Sequence, residues 1–322
     1  MKFTAGAILG LTLAAPALAD PPALSLPIDC TLGTTCYIED YVDLDPGPDQ
    51  RDYTCGLKSR DGHRGTDIHL LSFEAMEAGV DVLAAAPGRV AAMRDGMPDT
   101  PVTAATRAEI AGRECGNAVR IDHGDGWQTL YCHMKNGSLS VREGQEVETG
   151  MPLGQVGLSG LTNAPHIHLS VLKNGAVVDP FLPEAIDGAC GSAVGDGLWH
   201  DAPAYDRAGL FTAGFSTTVP EFDAVKSGDA RVTDAAPNAA LVLYGHVFYA
   251  RPGDTLALWA DGPGGRIFET ELLLDAPQAQ LFRAYGRRAP AGGWSPGIYR
   301  GYVRLDRDGR IIASRHANIT VR

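Results

Sequence analysis

Short segments rich in Val, Ile, Leu and Tyr, punctuated by glycine, fill the chain from Val80 to Val171. With one exception, their apolar residues do not keep the period of an amphipathic helix. Gly88-Arg89-Val90, Ala118-Val119-Arg120-Ile121 and Gln128-Thr129-Leu130-Tyr131 have the length and composition of strands. Val141 to Val147 leads into Gly150-Met151-Pro152-Leu153-Gly154-Gln155-Val156-Gly157, a run of brief strands at tight turns. A chain written this way folds mainly as β-structure. The exception is Ala104 to Ala111, where a helix is expected inside an insertion from Asp95 to Glu114 on the rim of the domain.

Strand signals return at Ala240. Leu241 to Tyr244, Thr255 to Ala260, Ile267 to Leu274, Tyr299 to Leu305 and Ile311 to Ala313 recur between turns such as Pro252-Gly253-Asp254. Because 322 residues exceed the usual span of one hydrophobic core, two domains are expected. Residues 20–190 form the first, 191–238 a Gly-, Ala- and Ser-rich connector with room for a strand or two, and 239–322 an immunoglobulin-like antiparallel β-sandwich without its disulfide.

Lys2, the apolar run Phe3 to Leu13 and Ala17-Leu18-Ala19 give residues 1–19 the form of a secretory signal cleaved after Ala19. The apolar run is too short to span a bilayer, and the first cysteine is Cys30, so no lipid-acceptor thiol adjoins it. A soluble periplasmic or secreted protein with no membrane anchor after cleavage is therefore expected. The formal charge of -12 argues against nucleic acid as a partner. Six cysteines in an exported chain favour disulfides. Cys30 and Cys36 can close a short loop, and a hairpin turning at Gly124-Asp125 sets Cys115 diagonally across from Cys132. Elimination leaves Cys55 with Cys190.

Histidines and an acid cluster in three places: Gly62-His63-Arg64-Gly65-Thr66-Asp67, Leu130-Tyr131-Cys132-His133-Met134 and Asn163-Ala164-Pro165-His166-Ile167-His168-Leu169. Imidazole and carboxylate are the ligands of catalytic zinc, which keeps three protein ligands and one open position. On an extended strand His166 and His168 project from one face, and Pro165 holds the approach extended. Taken singly, each fragment is a weak signal, because an isolated His-x-His or a lone Asp after Gly is more often structural.

Together, in this order, they resemble the lysostaphin-type and LytM-type zinc endopeptidases that act on peptidoglycan. The resemblance runs from about Gly62 to Val171 and includes Gly116-Asn117 and Ile121-Asp122-His123-Gly124. It implies a LytM-type antiparallel sheet, zinc held by His63, Asp67 and His168, and His133 and His166 beside the metal without ligating it. One of those two would be the general base and the other a hydrogen-bond donor. The base is assigned to His166, whose neighbour two residues on is a ligand, although the pattern leaves the roles exchangeable. The implied activity is hydrolysis of peptide bonds in peptidoglycan stems or cross-links. Cys132 departs from the family, which often has a small residue there.

Non-catalytic relatives typically lack one or more ligands, whereas all five positions are kept here. A wall-binding regulator that activates another hydrolase, a secreted peptidase acting on glycine-rich proteins, and metal storage remain as alternatives. His69 and His123 are read as structural groups, and His200, His246 and His316 as surface or core residues.

Overall fold

The computed structural model describes residues 20–103, 106–184, 190–191 and 195–322, so the expected signal at 1–19 lies outside the described residues. The first unit contains β1 (Cys36–Asp40), β2 (Thr66–Leu70), β3 (Asp81–Leu83), β4 (Gly88–Arg94), β5 (Asn117–Gly124), β6 (Trp127–Met134), β7 (Glu146–Val147), β8 (Pro152–Gln155), β9 (His166–Lys173) and β10 (Ala176–Val178). Its main sheet has the order β1-β2-β9-β6-β5-β4-β7, with β10 paired to β9, while β3 and β8 form a small second sheet. Ile68, Val119, Ile121, Tyr131, Ile167 and Leu169 are fully buried in its core. Burial on this scale, at roughly 1.5–3 kcal/mol per large apolar side chain, is the main force holding the sheet in register.

The β5–β6 hairpin turns at Asp125-Gly126, one residue later than expected. Gly124 pairs with Trp127, and both loop residues have positive φ, 48° and 78°, which suits Gly126 and the short polar Asp125. The hairpin still brings its ends together, and Cys115 is bonded to Cys132. Cys30–Cys36 and Cys55–Cys190 are also formed, as expected.

One helix of the first unit escaped the sequence reading, and the one expected in the insertion is shorter than expected. The Ser72 hydroxyl caps α1 (Phe73–Ala78) by accepting the Ala75 N–H, but six residues are too few to show a helical period. In the insertion, α2 is confined to Arg107–Ile110; positions 104 and 105 lie outside the described residues. The insertion is anchored through Asp99, whose carboxylate accepts the Asn136 and Leu158 N–H groups.

The second unit comprises β11 (Gly209–Ser216), α3 (Phe222–Ser227), β12 (Asp234–Ala235), β13 (Leu241–Ala250), β14 (Thr255–Gly262), β15 (Gly265–Leu273), β16 (Gln278–Arg287), β17 (Gly297–Arg307) and β18 (Arg310–Val321). Sheets β11-β13-β16 and β12-β18-β17-β14-β15 share one core, where Phe215, Leu243, Leu258, Leu281, Val303 and Ile319 are buried. The second sheet-forming region thus begins inside the segment expected to be connector: β11 pairs with β13 from Gly209 to Ser216. Its glycine, alanine and threonine content masked the alternation that carries Leu210, Ala213 and Phe215 inward. Among the described residues, α3 packs Val225 and Phe222 against Tyr244 and Phe282 on the opposite face of that sheet.

The two units are joined chiefly between β1 and β18. Ile311 N–H donates to Gly33 O at 2.8 Å, Tyr37 Oη to Ser314 O at 2.5 Å, and Lys58 Nζ to Ile312 O at 3.3 Å. Arg315 pairs with buried Glu39, and the Arg300 guanidinium lies over the Phe73 ring at 4.7 Å.

Candidate metal centre

Strand alternation and register assemble the site. Asp67 on β2 stands directly across from His168 on β9, and His69 across from His166. Since residues two apart share a face, four of the six side chains around the centre project from two adjacent strands. His63 comes from the turn before β2, and His133 from the end of β6, where its φ of 63° puts it in the left-handed region. A β-carbon is costly there. Cys132–Cys115 and a hydrogen bond from His133 N–H to Cys115 O, 2.8 Å, brace that conformation.

His63 Nε2, the Asp67 carboxylate and His168 Nδ1 converge. His63 Nε2 is 3.1 Å from Asp67 Oδ2, His168 Nδ1 is 2.7 Å from Asp67 Oδ1, and the two ring nitrogens are 3.2 Å apart. Tetrahedral zinc with bonds near 2.05 Å separates its ligand atoms by about 3.3 Å, so these groups fit zinc after opening by a few tenths of an ångström. Outer partners fix which nitrogen faces inward. His63 Nδ1 donates to Tyr41 O at 2.6 Å, and His168 Nε2 contacts Ser170 Oγ at 3.0 Å. The Ser170 hydroxyl gives its own proton to Arg64 O and therefore accepts from His168. Each ring thus keeps a lone pair for the centre, the usual role of groups behind a metal-binding histidine.

His133 and His166 follow the same rule. Their Nδ1 atoms sit on Ser159 O at 2.8 Å and Ala164 O at 2.9 Å, which turns both Nε2 atoms inward. His166 Nε2 is buried without a hydrogen-bond partner and lies 3.7 Å from Asp67 Oδ2. A buried orphan lone pair is costly unless something fills the space it faces, as a metal-held group would.

Burial opposes charge on Asp67, but His63, Arg60, His166 and His168 outweigh it and hold the carboxyl well below its usual range. Asp67 therefore stands ionised among the histidines. Burial likewise opposes a charged His63, yet the Asp67 carboxylate draws its pKa upward. Burial, aided by neighbouring imidazoles, pushes His133 well down and also lowers His166 and His168, so those rings are neutral bases near pH 7.

All five expected site residues are thus brought together. Tyr41, Ser159, Ser170, Arg60 and Thr162, whose Oγ1 lies 3.2 Å from His166 Nδ1, were missed. Ser170 was readable, because His166, His168 and Ser170 alternate on one face; the others reach the site from distant loops. Arg60 Nη2 donates to Asp67 Oδ2 at 2.8 Å while Nη1 holds Asp40. His69 is closer to the site than expected: its ring stacks on His166 at 4.4 Å, and with Asp67 and His166 it makes a second, looser group of possible ligands. His123 bonds Pro87 O and Thr129 Oγ1, a structural role.

Residues 61–180 match the profile of Peptidase family M23. The match to M23 covers somewhat more than a third of the chain. Part of it is 36% identical over 89 residues to Cell division protein DipM of Caulobacter vibrioides, covering 26% of this chain and 14% of DipM. Another match, 40% identical over 85 residues, is to DD-carboxypeptidase/endopeptidase Mpg of Neisseria meningitidis serogroup B, covering 25% of this chain and 19% of Mpg. Murein hydrolase activator NlpD of Escherichia coli is 30% identical over 128 residues, covering 39% of this chain and 27% of NlpD. The matches therefore span less than a third of each relative's length.

Proposed function

We propose that this chain is an exported zinc metalloendopeptidase that hydrolyses peptide bonds in the stems or cross-links of bacterial peptidoglycan. The observation that carries the reading is the complete five-residue centre, with every imidazole turned inward by its own outer acceptor.

His63 Nε2, Asp67 and His168 Nδ1 would hold the metal. Zinc, when bound, polarises the scissile carbonyl and brings the pKa of a water from about 15.7 toward about 7. His166 takes a proton at its orphan Nε2 while Nδ1 stays on Ala164 O. Asp67, 3.7 Å away, offsets the positive ring, which then returns the proton to the leaving amine. With Nδ1–H on Ser159 O, neutral His133 offers its Nε2 lone pair to the centre and accepts a hydrogen bond that positions the attacking water; donating to the carbonyl oxygen would need the other tautomer.

The name of Mpg supports hydrolysis and that of NlpD supports a second reading, a regulator that activates another wall hydrolase. Release of dye from labelled sacculi by the zinc-loaded protein alone, abolished by chelator, supports the peptidase. Silence on several wall types, with stimulation of an added hydrolase, supports the regulator and refutes the peptidase.

A further inference from the structure

A cleft of about 540 Å³ lies between the M23 domain and the sandwich. Its floor includes Asp67 and His166; one wall is the insertion with Arg107, and the other comes from β11, β18 and Arg231. The sandwich wall is held in place, since Arg315 Nε also donates to Leu210 O of β11 at 2.9 Å while its Nη1 reaches Glu39 of the M23 domain.

The charges lining the cleft do not cancel. Arg60, Arg107, Arg231 and Arg315 face Glu39 and Asp67. Glu39 is taken by Arg315 and Asp67 by Arg60. That leaves Arg107 and Arg231, one on each wall, with no carboxylate in ion-pair range among the described residues. Arg231 is oriented by neutral acceptors: Nη2 donates to Thr212 Oγ1 at 2.5 Å and Ala213 O at 3.1 Å. Two unneutralised guanidinium groups facing one cleft are unusual in a protein with 39 acidic and 27 basic residues, and they concentrate positive potential beside the catalytic floor.

We infer that the sandwich domain is a wall of the substrate site, and that Arg231, with Arg107 opposite, binds a free carboxylate of the peptide lying across the metal centre. The inference rests on the peptidase reading for the identity of the ligand. A planar guanidinium fork is matched to a carboxylate, the anionic group a peptide offers. Both arginines are exposed, so the gain per contact is moderate and sensitive to salt.

The test uses the full chain and two probes, a peptidoglycan stem tetrapeptide with free carboxylates and its twin with those carboxylates converted to amides. Binding is measured by calorimetry to the zinc-loaded His133→Ala protein, so that it does not depend on turnover, and KM and kcat are measured separately on the parent. The acid probe should bind more tightly than the amide twin. Arg231→Gln should shrink that preference about five- to tenfold, Arg231→Lys should shrink it less, and added salt should weaken the acid probe selectively. Arg266→Gln, in the sandwich but outside this cleft and paired with Asp261 and Glu269, should keep the parent preference. An unchanged acid-to-amide ratio in Arg231→Gln and Arg107→Gln would overturn the inference. Retained acid preference without any cleavage would instead overturn the peptidase reading and leave the carboxylate site standing.

Discussion

Asp67 and His168 face each other across β2 and β9, with Asp67 Oδ1 2.7 Å from His168 Nδ1. Ser170 holds the other side of the His168 ring, which under the proposed function keeps Nδ1 turned to the metal. Ser170→Ala removes that acceptor and frees the imidazole to rotate or change tautomer. Zinc affinity should fall about 10- to 100-fold, read by competition with a chromophoric chelator, with little change in the far-ultraviolet circular dichroism spectrum.

Gly65 lies against the same ring. A β-carbon there would meet His168 Nε2 and Leu169 O at 2.6 Å, the latter a backbone atom that cannot swing aside. Gly65→Ala should cost about 1–3 kcal/mol of stability in chemical denaturation of the metal-free protein. It should also weaken zinc binding, because His168 is the group that has to move.

The Cys115–Cys132 bond closes a short loop, with a sequence separation of 17. It adjoins a catalytic candidate held at positive φ. The double substitution Cys115→Ser, Cys132→Ser should lower stability by roughly 3 kcal/mol. Cleavage should fall further than the loss of folded protein accounts for, since His133 is no longer braced. Equal losses in the two measurements would show that the bond acts on stability alone.

Two buried groups at the contact between the units carry opposite pH dependences. Burial pushes His316 down to about 4, against the pull of Leu71 O, with Arg315 and Arg300 adding to the shift and Glu74 opposing it. Its folded pKa lies below the unfolded value of about 6.5. The neutral ring's contribution is therefore present above pH 6.5 and lost as pH falls toward 4. Glu39 has the opposite sign: burial raises it from 4.5 to about 7 despite Arg315, so its contribution is present below pH 4.5 and lost as pH rises from there through 7. The two nearly offset each other between these values, so urea midpoints should be almost level there. His316→Phe should leave a midpoint that falls as pH rises across this range, and Glu39→Gln one that rises.

The clustering of the five site candidates was legible in the sequence because its information is local. His63 and Asp67 lie four apart, and His166 and His168 alternate on one strand. Only the pairing of β2 with β9, set by burial of Ile68 and Ile167, was needed to join them. Arg60, Tyr41 and Ser159 act through contacts fixed by loop paths, which leave no periodic trace. In the second unit, β14 and β17 announced themselves through aliphatic and aromatic runs. By contrast, β16 was silent: only Leu281 among its ten residues is buried, so its sequence reads as a polar linker.

The central claim is that this chain breaks a peptide bond itself. Its most direct measurement is mass spectrometry of fragments released from purified sacculi by the zinc-loaded protein, with no other hydrolase present and a chelated sample beside it. New amino and carboxyl termini within stems or cross-links, absent from the chelated sample and from His133→Ala, are the expected result. Intact stems after prolonged incubation with protein shown to hold one zinc would contradict it.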